Sequence, residues 1–351
     1  MIVTYLRSSS IGTYAMCPMK YYCTYVLGMK DKDNGKAIIG SVVHKNLELL
    51  GRYKLAMQAK KHSFVDEEFG KITFKQVSIE YFNDLSHKYY EDAFPGIMPA
   101  NSKKIALQWT HLALTRLDGE MDPRNQDIHA VEEFFEVEVP HEWADYEYLV
   151  GDQVIKGRLG LKGTVDLITR EGEFHFHIQD YKTGRRYDWA KEQVKEYKDL
   201  AEDKQLYLYY YALRLKYPDH KFYISIFYIN DHPIDGVVVP GGLFTFAFDD
   251  IDFKKAESMI KKEFETIKAN KSPSVISQKC AHFKCRFMCN YSQIIPEISS
   301  KKPACIALRE EIAESGIDAV TLKYANLKKM TTYSGGGRLD VQLATPDDQV
   351  Q

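Results

Sequence analysis

The 351-residue sequence contains no apolar run of the ~18 residues that a membrane-spanning helix needs, so no bilayer span is read from it. Its first residues, MIVTYLRSSS, lack a basic segment followed by a long apolar core. No secretory signal is expected there, and a cytoplasmic location is the default. Charge of one sign is missing too. The 47 Lys and Arg residues nearly balance 49 Asp and Glu, leaving a net charge of −2. The chain therefore has no global attraction to nucleic acid, and any such binding must use local basic patches. Cysteine is sparse, at six residues, and in a reducing cytosol these are not expected to form disulfides. What remains is ordinary for a soluble globular protein, with 44% hydrophobic and 27% charged residues. The length allows one large domain or a domain with a sizeable insertion. The 24 tyrosines suit core and rim packing, and exposed ones can also stack on bases.

The stretch that carries most chemistry is GTVDLITREGEFHFHIQDYKTG, residues 163–184. Two apolar runs, Thr164–Thr169 and Phe174–Gln179, flank Arg-Glu-Gly-Glu and read as a hairpin. Asp166 lies in the first run, and Asp180 and Lys182 close the second. In extended chain Asp180 and Lys182 project from one face, and Asp166 on the partner strand can lie opposite them. Two carboxylates and an ammonium converging at strand ends suit a hard divalent cation over a phosphodiester, with the lysine positioning or polarising a water. An exposed hairpin carrying ordinary surface charges fits the same residues.

Before this hairpin, Ser8-Ser9-Ser10 opens a helical pattern that Gly28 ends, with Pro18 kinking or restarting it after Cys17. A charged turn, Lys30–Lys36, leads into a second helix, AIIGSVVHKNLELLGRYKLAMQ, where Val43, Leu47 and Leu50 form an apolar stripe. His44 and Glu48 share a neighbouring face of it, and a helical histidine is either structural or a ligand. Residues 52–128 read as mostly helical, with a break at FPGIMPAN and few strands. Ala130–Pro140 alternates like a strand and puts Glu132, Glu136 and Glu138 on one face, either near the site or in solvent. Tyr148–Arg158 reads as a strand or hairpin. Trp189–Lys216 reads as a helix with Gln205 and Tyr209 one turn apart. Lys221–Ile229, Gly236–Pro240 and Leu243–Phe248 read as strands, and Asp249–Lys268 as an amphipathic helix. A helical pattern at Ile306–Ala313 precedes a GGG linker and a polar, disordered tail.

Cys280, Cys285 and Cys289 fall within ten residues of one another, a density that points to a metal or cluster site. A closed site needs a fourth ligand; Cys17 is the natural candidate, with Cys23 and His282 as substitutes. Zinc and an iron–sulfur cluster both suit these residues, as do simple buried thiols.

Taken together, the motifs resemble the RecB-like branch of the PD-(D/E)XK nuclease superfamily, and most closely its iron–sulfur-cluster-bearing members. These include CRISPR-adaptation nucleases, AddB-type subunits and phage recombination exonucleases. In the family's order stand G-S-V-V-H at Gly40–His44, G-T-V-D ending at Asp166, D-Y-K-T-G at Asp180–Gly184, and Q-x-x-x-Y at Gln205–Tyr209. One cysteine before the core and three after it complete the pattern. The resemblance implies an α/β fold, a central mixed β-sheet flanked by helices, with a largely helical insertion. It implies Mg²⁺ or Mn²⁺ on His44, Asp166 and Asp180, helped by the Tyr181 carbonyl. Lys182 would orient the water or stabilise charge on phosphorus, while Gln205 and Tyr209 contact DNA or support the lysine. Cys17, Cys280, Cys285 and Cys289 would hold a structural [4Fe–4S] cluster, with zinc as the alternative. One departure stands out: the family places two and then five residues between its last three cysteines, whereas here four and then three intervene.

The expected organisation is N-terminal helices at 1–51, a helical cap at 52–128, the nuclease core at 129–270, the cysteine segment at 271–300 and a helix with a flexible tail at 301–351. The expected activity is a metal-dependent DNA nuclease, an exonuclease on single strands or DNA ends in recombination, repair or replication. No G-x-x-x-x-G-K-[ST] motif occurs, so single strands are expected from elsewhere, and a helicase or recombination partner is a reasonable expectation. A non-catalytic DNA-binding scaffold and an RNA-directed nuclease are the alternatives, although no RNA-binding module is recognisable.

Overall fold

The computed structural model describes residues 1–325 apart from Lys32, Asp33, Asp152, Asp235, Lys279 and Ala281. The GGG linker and polar tail lie outside the described residues. The described residues pack into two compact units: Met1–Lys32, Glu136–Lys162 and the described residues from Lys255 onward make one, and Asp33–Phe135 with Gly163–Lys254 make the other.

The second of these carries the hairpin motif. Its long helix α1 (Gly35–Gln58) starts where the Asn34 side chain accepts the Lys36 N–H at 3.0 Å, satisfying one orphan donor of the first turn. Ile39, Val43, Leu47 and Leu50 recur at helical spacing and are buried. They pack with helices α2 (Ile79–Ala93) and α3 (Ser102–Thr115), which contribute Phe82 and Ala106. Inside this cluster the Asn46 amide lies 3.1 Å from Asn83 Oδ1 and 2.9 Å from Thr110 Oγ1, so one buried polar knot joins the three helices. Residues 52–128 are not wholly helical: Ser63–Asp66 and Gly70–Thr73 form an antiparallel hairpin. Lys45 fastens it to α1 with ion pairs to Asp66 at 2.9 Å and Glu68 at 2.6 Å. A four-residue strand pair buries too little to be read from periodicity; this buried ammonium gives it an anchor.

The main strands of the six-stranded sheet are β1 (Ile128–Glu138), β2 (Gly160–Arg170), β3 (His175–Lys182), β4 (Lys221–Tyr228) and β5 (Gly242–Phe248), and Tyr5–Leu6 is the sixth. Its order is β2–β3–β4–β5, with β1 also paired to β2. Strands β2/β3 and β4/β5 run antiparallel and β3/β4 parallel, so the sheet is mixed. A parallel pair requires a crossover, and helix α4 (Lys204–Lys216) supplies it. Alternation along the strands sorts the two faces. Leu167, Tyr181 and Phe227 join the α1–α3 core, while Phe222 and Phe248 meet Tyr210 of α4 at ring distances of 5.7 and 5.0 Å. The central mixed sheet is thus flanked by helices, as the motif pattern implied.

The continuous helix read over Trp189–Lys216 is corrected. Glu192 takes a left-handed φ of +59°, Gln193–Val194 pairs with Tyr187–Asp188, and a short helix, Tyr197–Ala201, ends before α4 begins. Asp203 then caps α4 afresh, its carboxylate accepting the Gln205 N–H at 2.9 Å.

In the other unit, Pro18 occupies the first position of a helix at Pro18–Tyr21, after the Ser8–Met16 helix has ended, so it restarts the pattern rather than kinking it. Tyr5–Leu6 pairs in parallel with Gly160–Leu161. Asp145–Val150 and Gln153–Arg158 form the anticipated hairpin. The C-terminal part adds helices Phe283–Met288, Ala304–Ser315 and Ile317–Ala325. Among the described residues no helix is long and apolar enough to cross a membrane.

Gly163 shows why the G-T-V-D motif begins with glycine. A Cβ there would stand 2.5 Å from Phe135 Cζ, and the buried Phe135 ring packs edge-on against Tyr209 at 5.9 Å. Gly163→Ala is expected to destabilise the fold by about 1–3 kcal/mol in urea denaturation, because the added methyl overpacks a buried ring. Gly12→Ala, which meets nothing within 4 Å, should be neutral or mildly stabilising. Equal stabilities for the two variants would contradict this packing.

Candidate active site

Three elements of one unit bring the site together. On β3, Asp180 and Lys182 project from the face opposite the buried Tyr181 ring, which donates its hydroxyl to Met121 O at 2.9 Å. On β2, Asp166 is locked by a backbone bond: the Tyr181 N–H donates to its Oδ2 at 2.7 Å. Helix α1 delivers His44, with Nδ1 3.4 Å from Asp166 Oδ1. The approach of α1 depends on Gly40, one turn earlier. A Cβ at Gly40 would lie 2.6 Å from Thr183 Oγ1, so the glycine of G-S-V-V-H seats directly on the threonine of D-Y-K-T-G.

Glu132 of β1 completes the cluster. One ligand atom each from His44, Glu132 and Asp166 lies within 4.8 Å of the other two. Glu132 reaches in because its backbone is left-handed, at φ +49° in the middle of a strand. Such a conformation costs a non-glycine residue of order 1–3 kcal/mol and gathers at functional sites. Strand alternation had grouped Glu132 with Glu136 and Glu138; instead Glu136 pairs with Lys162 at 2.7 Å. Glu132 was absent from the ligand set read from the sequence, since no local pattern announces a reversed φ.

Behind the trio lies a closed polar network. Lys182 Nζ sits 2.6 Å from Asp180 Oδ2 and donates to Gln205 Oε1 at 3.0 Å. Gln205 Nε2 reaches Asp180 Oδ1 and Tyr209 Oη, each at 2.7 Å. All the anticipated members therefore converge, but Asp180 is engaged with Lys182 and Gln205 rather than placed inside the compact trio. The Asp180 side chain is 4% exposed, whereas His44 and Asp166 retain 31% and 16%, so the trio is the part open to an incoming group.

The electrostatics follow from crowding negative charge. Burial, then the charge of Asp166, pushes the Glu132 carboxyl up to about 8. Burial also raises Asp180, to about 6, with Lys182 opposing and Asp166 adding to the rise. Burial works against the His44 imidazolium, but the charge and hydrogen bond of Asp166 outweigh it and lift His44 to about 9. Asp166 is held below the usual carboxylate range: burial raises it, and His44, Lys182 and the Tyr181 N–H more than offset that.

The donor set fits a hard divalent cation. It offers two carboxylates and an imidazole on the open side, with Asp180, ion-paired to Lys182, beside them.

In the other unit, Cys17, Cys280, Cys285 and Cys289 all line one cavity, together with Cys305. Cys23 and His282, the substitutes considered for the fourth position, do not line it. A cysteine sixteen positions beyond Cys289 carried no spacing signal, so Cys305 went unnoticed as a ligand in the sequence.

A model of the PD-(D/E)XK nuclease superfamily matches residues 8–294. No curated protein matches the chain. Among solved structures it is similar to a crystal structure from Eubacterium rectale, provisionally named an exonuclease, at 10% identity and a TM-score of 0.43. That match covers 85% of this chain and 94% of the other.

If Glu132 is a ligand, Glu132→Gln should weaken Mn²⁺ binding by about 10- to 100-fold in calorimetric titration. Glu136→Gln, on the same strand but paired with Lys162, should leave it unchanged. Equal losses for both variants would return Glu132 to an ordinary strand face.

Proposed function

The chain belongs to the PD-(D/E)XK nuclease superfamily, and from that membership we propose that it is a divalent-metal-dependent deoxyribonuclease acting on DNA ends or single strands. The observation that carries this reading is the convergence of His44, Glu132 and Asp166 in front of the Asp180–Lys182–Gln205 network. His44, Glu132, Asp166 and Asp180, with the Tyr181 carbonyl, are the residues that hold Mg²⁺ or Mn²⁺ in this reading. A divalent cation there supplies a nucleophilic water near neutral pH and neutralises charge on the phosphate.

The chain's own contribution is placement. Lys182 is held by Asp180 on one side and Gln205 on the other, so its ammonium is fixed before substrate arrives. From that position it orients the attacking water and stabilises the charge that develops on phosphorus. Gln205 is itself fixed twice, through its backbone by the Asp203 cap and through its amide by Tyr209. A helicase or recombination protein that supplies single strands is the partner this reading expects. We also assign the cysteine-lined cavity to a [4Fe–4S] cluster that fastens residues near both ends of the first unit, with zinc the competing occupant. The chemistry of the donor set supports this: buried thiols from distant parts of the chain face one space.

Asp180→Asn keeps a partner for Gln205 but removes the charge. It is expected to reduce Mn²⁺-dependent cleavage of a single-stranded DNA end by about 10³-fold, while thermal unfolding stays close to that of the parent chain. Cleavage at the parental rate would overturn the assigned site. Faster cleavage of a matched RNA than of DNA by the parent protein would overturn the substrate class.

A further inference from the structure

The cavity holds one thiol more than a four-ligand centre uses. Cys280 and Cys305 face each other with their Sγ atoms 3.4 Å apart, and both residues are buried. At that separation the two sulfurs are in van der Waals contact. They point into the same part of the cavity rather than toward separate irons, because the ligands of a cubane approach different corners and diverge. The two positions are built independently. Cys305 is in the first turn of the Ala304–Ser315 helix, and its N–H is held by Tyr291 O at 3.0 Å. Cys280 adopts a left-handed backbone, φ +49°, which a non-glycine residue takes only where its surroundings compel it. The strained backbone accompanies a thiol directed at a partner sulfur 25 positions away.

We propose that Cys280 and Cys305 are alternative ligands for one corner of the thiolate-held cluster, with Cys17, Cys285 and Cys289 occupying the other three. The inference rests on the cluster assignment above. The spare thiol can take over the iron when the first ligand is lost, so the corner survives damage that any other corner would not.

The test is iron, acid-labile sulfide and the visible spectrum of the full chain purified without oxygen. Cys280→Ala and Cys305→Ala, singly, should each keep at least about half of the parental iron. The double variant, and Cys17→Ala, Cys285→Ala or Cys289→Ala alone, should fall to less than about a tenth of it. Far-ultraviolet circular dichroism checks that the variants are folded, and the two single variants decide the matter even if the double variant does not fold. Loss of iron from either single variant equal to that of Cys17→Ala would overturn the shared corner, as would a folded double variant that keeps its iron. A parental protein without iron would instead overturn the cluster assignment beneath it. Parental zinc lost from both single variants would show the two thiols on one ion and overturn the proposal as well.

Discussion

Three carboxylates held at one end of a sheet repel each other, and much of the surrounding structure can be understood as what keeps them there. Asp166 and Asp180 sit on neighbouring strands whose register is fixed by backbone bonds well inside the sheet, so neither can retreat without breaking the β2/β3 ladder. Lys182 and His44 supply the compensating positive charge, and Gln205 ties Lys182 to Asp180. The raised positions of Glu132 and Asp180 register the repulsion left over. An arrangement that leaves its own carboxylates partly uncompensated is suited to receiving a cation.

Two close approaches between motifs keep the geometry tight. Gly40 lets α1 rest on Thr183, directly after Lys182, and this places His44 one turn further on against Asp166. Gly163 makes room for Phe135, whose ring supports Tyr209, which in turn holds Gln205. Gly40 and Gly163 are therefore spent on packing elements of the site against one another, and the polar side chains gathered there inherit their positions from it. The strain at Glu132 belongs to the same design, since a relaxed strand would not aim its carboxylate at Asp166.

What could be read from the sequence was what depends on short-range periodicity. Asp180 and Lys182 share a face because strand residues two apart always do, and Gln205 and Tyr209 share one because helix residues four apart do. His44 was readable as a position on an amphipathic helix, and its partner only through the motif order. The sheet and its flanking helices followed from the same patterns. Glu132 was readable only as one of three strand-face glutamates that could approach the site; its place in the ligand set was not, because it accompanies one reversed φ that breaks the alternation of an otherwise regular strand. The interruption of Trp189–Val194 was hidden by helix-forming residues, which a tight local turn at Glu192 and pairing with Tyr187–Asp188 overrode. Cys305 was missed because packing of a helix, rather than ligand spacing, carries it to the cavity.

The measurement that bears most directly on this site is anomalous diffraction from crystals of the protein soaked in Mn²⁺. One strong peak is predicted, within ~2.0–2.6 Å of a His44 ring nitrogen and of Glu132 and Asp166 carboxylate oxygens. Mn²⁺ bound elsewhere, with no peak at those three side chains, would contradict it.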